Sequence, residues 1–253
     1  EIKESAFDQC TNLTEIILPE SIEKVWDSAF RGCSGVKRIR IESPKCEYGY
    51  FNPFESVGEK GVDVEFGKKV LEIPNLRLRE AVRHVAFEGE VEKIGDYAFS
   101  GCSNLEEIDL PDSVKEIGSN AFGGCEKLKS IVLGTKITKI GMWAFAGVKG
   151  ITELTIPEQV EEIGVSAFER CSGLKKVEID ANLTKQDKAF LKAGTEGIEV
   201  IYGKGITSIG NLFAGSTVTS VTIPEGVKEI KESAFDQCTN LTEIILPESI
   251  EKV

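Results

Sequence analysis

Apolar residues recur along this chain in one pattern that repeats every 23 residues. The unit at 102–125, CSNLEEIDLPDSVKEIGSNAFGGC, shows the pattern in full. Leu105, Ile108 and Leu110 alternate with polar residues in the manner of a strand with one buried face. Pro111 then ends the strand, because proline has no amide proton to donate to a sheet. The other apolar positions of the unit follow this proline: Val114, Ile117, Ala121, Phe122 and Cys125.

The dipeptide Ala-Phe, usually separated by two residues from a Cys, marks the end of each unit. It occurs in the stretches 6–10, 29–33, 98–102, 121–125, 144–148, 167–171 and 234–238. A coil of this length cannot bury its apolar residues alone, whereas stacked coils bury them against one another. The pattern therefore predicts a repeat solenoid, in which each Phe meets its counterpart in the next coil.

The pattern L-x-x-I-x-L-P-x-x-V-x-x-I-G-x-x-A-F-x-x-C resembles the BspA-like subclass of leucine-rich repeats, and the resemblance covers nearly the whole chain. It implies a right-handed coil with one parallel β-sheet of about 10–11 short strands and little helix. Ordinary leucine-rich repeats carry Asn or Cys just after the strand. In this chain Pro stands there, and the Cys closes the Ala-Phe turn instead.

We expect residues 1–253 to form a single solenoid without capping domains, with irregular coils at about 43–92 and 181–217. Two departures from the pattern, 53–95 and 189–231, match each other at an offset of 136 residues. The aligned pairs include Phe54 with Phe190, Gly67 with Gly203, Asn75 with Asn211 and Val85 with Val221. Because the irregular coils recur as a pair, a higher-order duplication explains them more simply than decay of the repeat.

Residues 1–25 and 229–253 have the same sequence, EIKESAFDQCTNLTEIILPESIEKV. This identity is far tighter than that between neighbouring coils, which agree at the inward positions alone. It indicates either tandem duplication of a long block, which we favour, or an overlap introduced by design. Neither end carries a polar capping coil, so we expect the terminal coils to expose apolar edges or to stack on a neighbour.

The formal net charge of the chain is −12, which opposes binding to nucleic acids and to anionic membrane surfaces. No apolar run approaches the about 18 residues that a membrane-spanning helix needs. The sequence therefore predicts no nucleic-acid partner and no insertion into a membrane.

Six of the seven cysteines close the Ala-Phe turn: Cys10, Cys33, Cys102, Cys125, Cys171 and Cys238. Val148 and Ser216 occupy this position in other coils, which predicts a small buried slot for reduced thiols. A disulfide between neighbouring coils is an alternative, because adjacent strands are about 5 Å apart. A metal site is less favoured, since zinc prefers clustered cysteine pairs. Cys46 lies outside the pattern and is predicted to be the most reactive thiol.

His84, the single histidine, lies at an outward position of the predicted strand 82–87. Glu107 and Arg38 fall in the same outward column, and a histidine beside a carboxylate is the arrangement of a general base. No nucleophile motif places Ser, Cys or Thr beside it, however, and no Gly-rich phosphate loop occurs. We therefore expect a solvated surface histidine, no enzymatic activity, no cofactor and no metal.

The outward strand positions are predicted to form a continuous surface with alternating bands of charge. Solvation and protection of the sheet from aggregation explain such charges one by one. The surface as a whole is suited to binding a protein or a glycan, as solenoid surfaces commonly are. The candidate partner-binding residues are Lys37, Arg38, Arg40, Arg83, His84, Glu106, Glu107, Asp109, Lys129, Glu153, Lys175 and Lys176.

The resemblance to BspA-like proteins implies an extracellular or cell-surface protein that acts in adhesion. The expected mechanism is many modest contacts over a rigid, acidic strand surface, with affinity raised by repetition. The alternative is a structural protein whose coils stack end to end into filaments, or a designed repeat protein, because a contact between unlike ends does not close on itself.

Overall fold

The computed structural model describes residues 1–183 and 187–253, and it is a parallel β-solenoid of about ten turns with almost no helix. The predicted solenoid is confirmed. Within the described ranges the helical element is one 3₁₀ turn, Arg79–Ala81. The buried apolar residues form one continuous cluster that extends from Ile16 to Cys238.

The strands fall into two columns that run along the solenoid. In chain order they are β1 (Glu15–Leu18), β2 (Lys24–Val25), β3 (Arg38–Ile41), β4 (Glu47–Tyr48), β5 (Val62–Phe66), β6 (Glu72–Ile73), β7 (Val82–Phe87), β8 (Lys93–Ile94), β9 (Glu116–Ile117), β10 (Lys139–Ile140), β11 (Glu153–Ile156), β12 (Glu162–Ile163), β13 (Lys176–Ile179), β14 (Ile198–Tyr202), β15 (Ser208–Ile209), β16 (Val218–Thr222), β17 (Glu229–Ile230) and β18 (Glu243–Ile245). The longer strands, β1, β3, β5, β7, β11, β13, β14, β16 and β18, form the front column. The two-residue strands form the second column.

Strands of the front column pair in register, so that the same coil position meets itself in the next coil. Ile16 pairs with Ile39, and Ile39 with Val64, all of them buried. The polar residues between them face solvent because successive side chains of a strand point to opposite faces. The apolar alternation seen in the sequence therefore corresponds to the inward face of the front column.

The front column differs from the expected single sheet. It consists of two sheets, β1-β3-β5-β7 and β11-β13-β14-β16-β18. The segments 105–110 and 128–133 between them keep the alternation of buried and exposed residues but are not paired as strands. The coils of this central region are joined through the second column instead, where β6-β8-β9-β10-β12 form one sheet.

A third column of hydrogen bonds, which we call the turn column, links the Ala-Phe turns. The amide of Phe122 donates to the carbonyl of Ala144 at 2.7 Å, and Phe145 donates to Ala167 at the same distance. Each turn contains two residues in the left-handed region, such as Asn120 with φ 53° and Gly124 with φ 76°. Glycine recurs at the second position because it adopts this conformation without a steric penalty.

The Phe side chains stack along the turn column, as the sequence predicts. The rings of consecutive residues from Phe99 to Phe213 have centroids 4.5–5.3 Å apart and are nearly parallel. Phe7, Phe30 and Phe54 form a second, shorter stack. Between the two stacks, at residues 76–81, no phenylalanine occupies the slot and Leu78 is buried instead.

The cysteines are all free, in agreement with the predicted reduced thiols. The thiols of Cys33, Cys125 and Cys171 each donate to the carbonyl of the Phe in the preceding coil at 3.1 Å. The prediction of a buried slot is wrong for Cys10, which is exposed because no coil packs over its side of the turn in this structure.

The duplication at an offset of 136 residues is visible in the backbone. The ladder between β5 and β7 shifts register at Val62/Asp63, and that between β14 and β16 shifts at Ile198/Glu199. Gly61 and Gly197, at the same offset, have φ values of 102° and 104°. We call 53–95 the first unit and 189–231 the second unit. The predicted irregular stretch at 181–217 includes residues 184–186, which lie outside the described residues.

We expect Phe145→Ala to lower the free energy of unfolding by about 3–5 kcal/mol, because this ring is fully buried and stacked on both faces. Urea denaturation followed by far-UV circular dichroism measures the effect. Phe7→Ala is the matched control, since Phe7 is stacked on one face and is 42% exposed. Equal losses in the two variants would contradict the role assigned to the stack.

Candidate functional site

The structure places all twelve predicted surface residues on the outward side of the front column, where each is exposed or half-buried. Their charges are partly neutralised by neighbouring coils. Arg40 contacts Glu65 at 3.0 Å and Glu88 at 2.7 Å, and Arg38 pairs with Glu15. These hydrogen bonds raise the pKa of Arg40 and lower that of Glu88. The predicted basic band is therefore neutralised at Arg38 and Arg40.

Three of the seven arginines, Arg77, Arg79 and Arg83, have no carboxylate partner among the residues that the structure describes. The other four are ion-paired. The three unpaired guanidinium groups lie within seven residues of one another, in the first unit. Sequence analysis identified Arg83 as a candidate but did not identify Arg77 or Arg79.

Clefts open in the surface where one of the hydrogen-bond columns is interrupted. The front column is interrupted after β7, since no backbone hydrogen bond joins 82–87 to 105–110 in the described chain. A cleft of about 460 Å³ lies there, which we call the strand cleft. It is lined by Arg83, His84, Asn104, Glu106, Glu107 and Lys127.

The strand cleft brings together four of the predicted site residues: Arg83, His84, Glu106 and Glu107. Glu106 also pairs with Lys129 at 2.5 Å, and this hydrogen bond lowers the pKa of Glu106. His84 is exposed, as predicted. No Ser, Thr or Cys lines this cleft. The remaining predicted residues are spread along the front column and do not converge on it.

The turn column is interrupted on both sides of 76–81. The amide of Phe54 donates to the side chain of Asn52 at 2.9 Å, and that of Arg77 donates to Asn75 at 2.9 Å, rather than to a neighbouring coil. A cleft of about 610 Å³ lies at this interruption, which we call the turn cleft. Its polar and aromatic lining includes Phe51, Asn52, Glu55, Glu59, Arg77, Arg79, Glu80 and Asn104.

Asn104 lines both clefts, so they meet at the corner between the turn face and the front face. We call their combination the corner groove. The Asn104 amide donates to the Glu80 carbonyl at 2.8 Å and accepts from Lys127 Nζ at 2.8 Å. These hydrogen bonds hold the corner of the groove in place.

An exposed aromatic pair stands at one end of the corner groove. Tyr50 is 84% exposed and Phe51 66% exposed, and their rings contact edge to face with centroids 5.4 Å apart. The Arg77 guanidinium donates to the carbonyls of Gly49 and Tyr50 and so fixes this segment. Large apolar side chains exposed next to a polar cleft are typical of binding sites.

A signal for the turn cleft was present in the sequence. At the offset of 136 residues, the segment 75–82 reads NLRLREAV and the segment 211–218 reads NLFAGSTV. Arg77 thus stands where the second unit has Phe213, and Arg79 where it has Gly215. Sequence analysis considered outward strand positions alone and did not compare the two units residue by residue.

Two other interruptions lie in the second column. One cleft, of about 340 Å³, lies between β4 and β6, and a larger one, of about 760 Å³, lies between β12 and β15. Asp187, which lines the larger cleft, directly follows residues 184–186, so we base no site on it. Across the described ranges no helix is long and apolar enough to cross a membrane, and no three His, Cys, Asp or Glu residues are grouped to hold a metal ion.

The model of the BspA type leucine rich repeat region matches residues 1–75, 79–195 and 207–253, in six copies. The chain belongs to the BspA-type leucine-rich repeat family. The match to this family is interrupted at residues 76–78, the segment that carries Arg77 and opens the turn column. The corner groove is therefore built where the chain departs from the family pattern.

Solved structures of similar proteins are bacterial leucine-rich repeat proteins. One, from Bacteroides ovatus ATCC 8483, is 26% identical with a TM-score of 0.66 over 98% of this chain and 70% of that chain. A leucine rich cell surface protein from Faecalibacterium prausnitzii A2-165 is 22% identical, with a TM-score of 0.39 over 97% of this chain and 77% of that chain. The pneumococcal vaccine antigen PcpA is 21% identical, with a TM-score of 0.43 over 99% of this chain and 69% of that chain. At these identities the last two likenesses concern the fold alone. No curated protein matches this leucine-rich repeat chain.

The prediction that Cys46 is the most reactive thiol is not supported by its surroundings in this leucine-rich repeat structure. Cys46 is half-buried, and burial raises the pKa of its thiol. Burial likewise raises the pKa of Cys171 to about 12. Because the thiolate is the reactive form, exposed Cys10 is the better candidate.

We expect iodoacetamide to alkylate Cys10 before Cys46, and Cys46 before the buried thiols such as Cys125. Peptide mass spectrometry of samples quenched at successive times measures the order. In urea all sites should react at similar rates, which serves as the control. Alkylation of Cys125 as fast as Cys10 in the folded protein would show that the thiol slot is open to solvent.

Proposed function

We propose that this chain is the binding module of an extracellular or cell-surface adhesion protein, and that its front column presents an extended surface to a protein or glycan partner. The observation that carries the proposal is the contrast between the two sides of each front strand. Inward positions such as Ile39 and Val177 are fully buried, whereas outward positions such as Lys37 and Lys175 are polar and open to solvent.

Two further features support this proposal. The outward residues of paired strands lie side by side in register, so that one partner can contact several coils at once. The families of proteins that share this repeat use a rigid solenoid to present such a surface. The cell-surface location is proposed because one structural neighbour is described as a cell surface protein.

A panel of extracellular-matrix proteins, namely collagen, laminin and fibronectin, tests the proposal in a surface-plasmon-resonance assay at protein concentrations up to about 100 μM. We expect at least one to bind. The double variant Lys37→Glu with Lys175→Glu should weaken that binding by about tenfold, because it reverses two exposed charges of the front column.

The control is Lys136→Glu with Lys204→Glu, which makes the same change in net charge at exposed positions outside the front column. This control should bind as the unchanged protein does. Equal weakening by both double variants would show that net charge, rather than the front column, governs binding. Failure of the whole panel to bind would count against adhesion to matrix proteins.

A structural role is the second candidate, and one comparison within the chain favours it. Ile16 and Leu18 are buried beneath the next coil, whereas the identical residues Ile244 and Leu246 are 38% and 47% exposed. The coil at 229–253 therefore presents a surface that, in the coil at 1–25, packs against another coil. A second copy of the chain is a fitting occupant, since coils of this repeat stack on one another.

If copies stack, static light scattering should show a mass that grows with protein concentration without reaching a limit. Ile244→Asp with Leu246→Asp should abolish this growth, because it places two charges on the stacking surface. The same substitutions at outward Ile17 and Ile245 are the control and should leave growth unchanged. A constant monomer mass at all concentrations would rule out the filament.

A further inference from the structure

We propose that the corner groove, defined above by the strand cleft and the turn cleft, binds a polysaccharide chain. The proposal rests on the proposed binding function and names the class of one ligand. It extends that function to residues outside the front column, among them Phe51, Arg77 and Arg79.

The charged side chains of the groove are free to contact a ligand. Arg79 and Arg83 form no ion pair with any described residue, and neither do the carboxylates of Glu55, Glu59 and Glu80. Guanidinium and carboxylate groups of this kind form paired hydrogen bonds to adjacent hydroxyls. Such planar donors and acceptors, facing a shared groove, suit a chain that is rich in hydroxyl groups.

The aromatic pair supplies the apolar part of such a site. Phe51 lines the turn cleft and contacts Tyr50, and both rings are open to solvent. The faces of sugar rings carry C–H groups, which pack against aromatic rings, while their edges carry hydroxyls. Phe51 at the wall with Arg77 and Arg79 beyond it therefore matches the two chemistries of one sugar unit.

The charges also separate a polysaccharide from a nucleic acid or a strongly acidic peptide. Glu55, Glu59 and Glu80 share the turn cleft with the arginines, and Glu106 and Glu107 share the strand cleft. Like charges along these walls repel a polyanion. A hydroxyl-rich chain accepts hydrogen bonds from the arginines and donates to the glutamates, so it uses both signs of charge.

The second unit shows that the fold does not require the groove. There the turn column is closed, since Phe190 donates to the Leu212 carbonyl at 3.0 Å and Gly215 donates to Asp236 at 2.7 Å. The front column is closed as well, because β16 pairs with β18. At the groove positions the second unit carries Asp187, Leu191, Thr195, Phe213, Gly215 and Ser216.

Backbone strain in the first unit points the same way. Arg79 has φ 48°, whereas Gly215 at the same position of the second unit has φ 74°. A non-glycine residue in this region carries a steric penalty, and such penalties concentrate at functional sites. A glycine at 79 would suit the backbone better, yet the chain has an arginine that projects into the groove's lining.

Affinity electrophoresis in gels containing dextran, mannan, xylan or polygalacturonate tests the proposal, and titration calorimetry then measures affinity for any polymer that retards the protein. We expect retardation by at least one polymer. Arg79→Gly and Phe51→Ala should each weaken binding by at least about tenfold. Retention by dextran, mannan or xylan would show recognition of hydroxyls alone, and retention by polygalacturonate alone would show use of the arginines on carboxylates; both support a polysaccharide.

Arg170→Gly is the matched control. Arg170 occupies the same turn position as Arg79, with φ 55°, but it lies outside the groove. Both glycine variants relieve the same strain, so both should melt at or above the temperature of the unchanged protein. Arg170→Gly should keep full polysaccharide binding.

The proposal is overturned if none of the four polymers retards the protein, or if Arg79→Gly binds as well as Arg170→Gly does. It is also overturned if Arg79→Gly loses affinity for a matrix protein and for no polysaccharide, since the occupant would then be a protein. The assay of Lys37→Glu with Lys175→Glu leaves the groove intact and decides the proposed function separately.

Discussion

Hydrogen bonding between coils in register is the constraint on which this structure depends. A coil of this solenoid has almost no partners within itself, so its amides and carbonyls are satisfied by the coils before and after it. Three columns carry these bonds, and each column requires the same backbone conformation in consecutive coils. The repeated inward residues, the recurring left-handed pair in each turn and the stacked Phe rings all follow from this requirement.

The same constraint explains why a change in one coil is felt in two places. When residues 76–81 depart from the turn conformation, both the preceding and the following turn lose their partner, and Phe54 turns to its own Asn52. The second unit, with the same offset pattern and a closed turn column, shows that the departure comes from these residues rather than from the shorter coil itself. Local sequence changes therefore produce clefts instead of small adjustments of side chains.

Much of the fold could be predicted because the inward positions obey one period. Leu105, Ile108 and Phe122 are apolar for the same reason in every coil, and the structure buries them as expected. The second column was missed, since strands of two residues such as Glu116–Ile117 are too short to show alternation. The burial of individual cysteines depends on the neighbouring coil, so identical turns place Cys10 in solvent and Cys238 in the core.

The candidate site was harder to predict, because it lies where the repeat is broken. Arg77 and Arg79 read as a degraded copy of the Ala-Phe turn, and a degraded repeat carries no pattern from which to infer a position. The outward front residues were identified correctly as exposed, yet ion pairs between coils, such as that of Arg40 with Glu88, remove part of their charge. Such pairing depends on distances across coils, which the sequence of one coil does not contain.

Redundancy among the three columns lets this solenoid hold an open groove without separating. The coil that contains residues 72–87 is joined to the preceding coil through the front column, where β7 pairs with β5. It is joined to the following coil through the second column, where β6 pairs with β8. A different column thus holds each side, while the other columns are open to solvent at the groove. With all three columns closed, as between the coils at 121–125 and 144–148 they nearly are, the backbone leaves no space for a ligand. The groove is therefore possible at a coil where each side keeps one paired column and gives up the others.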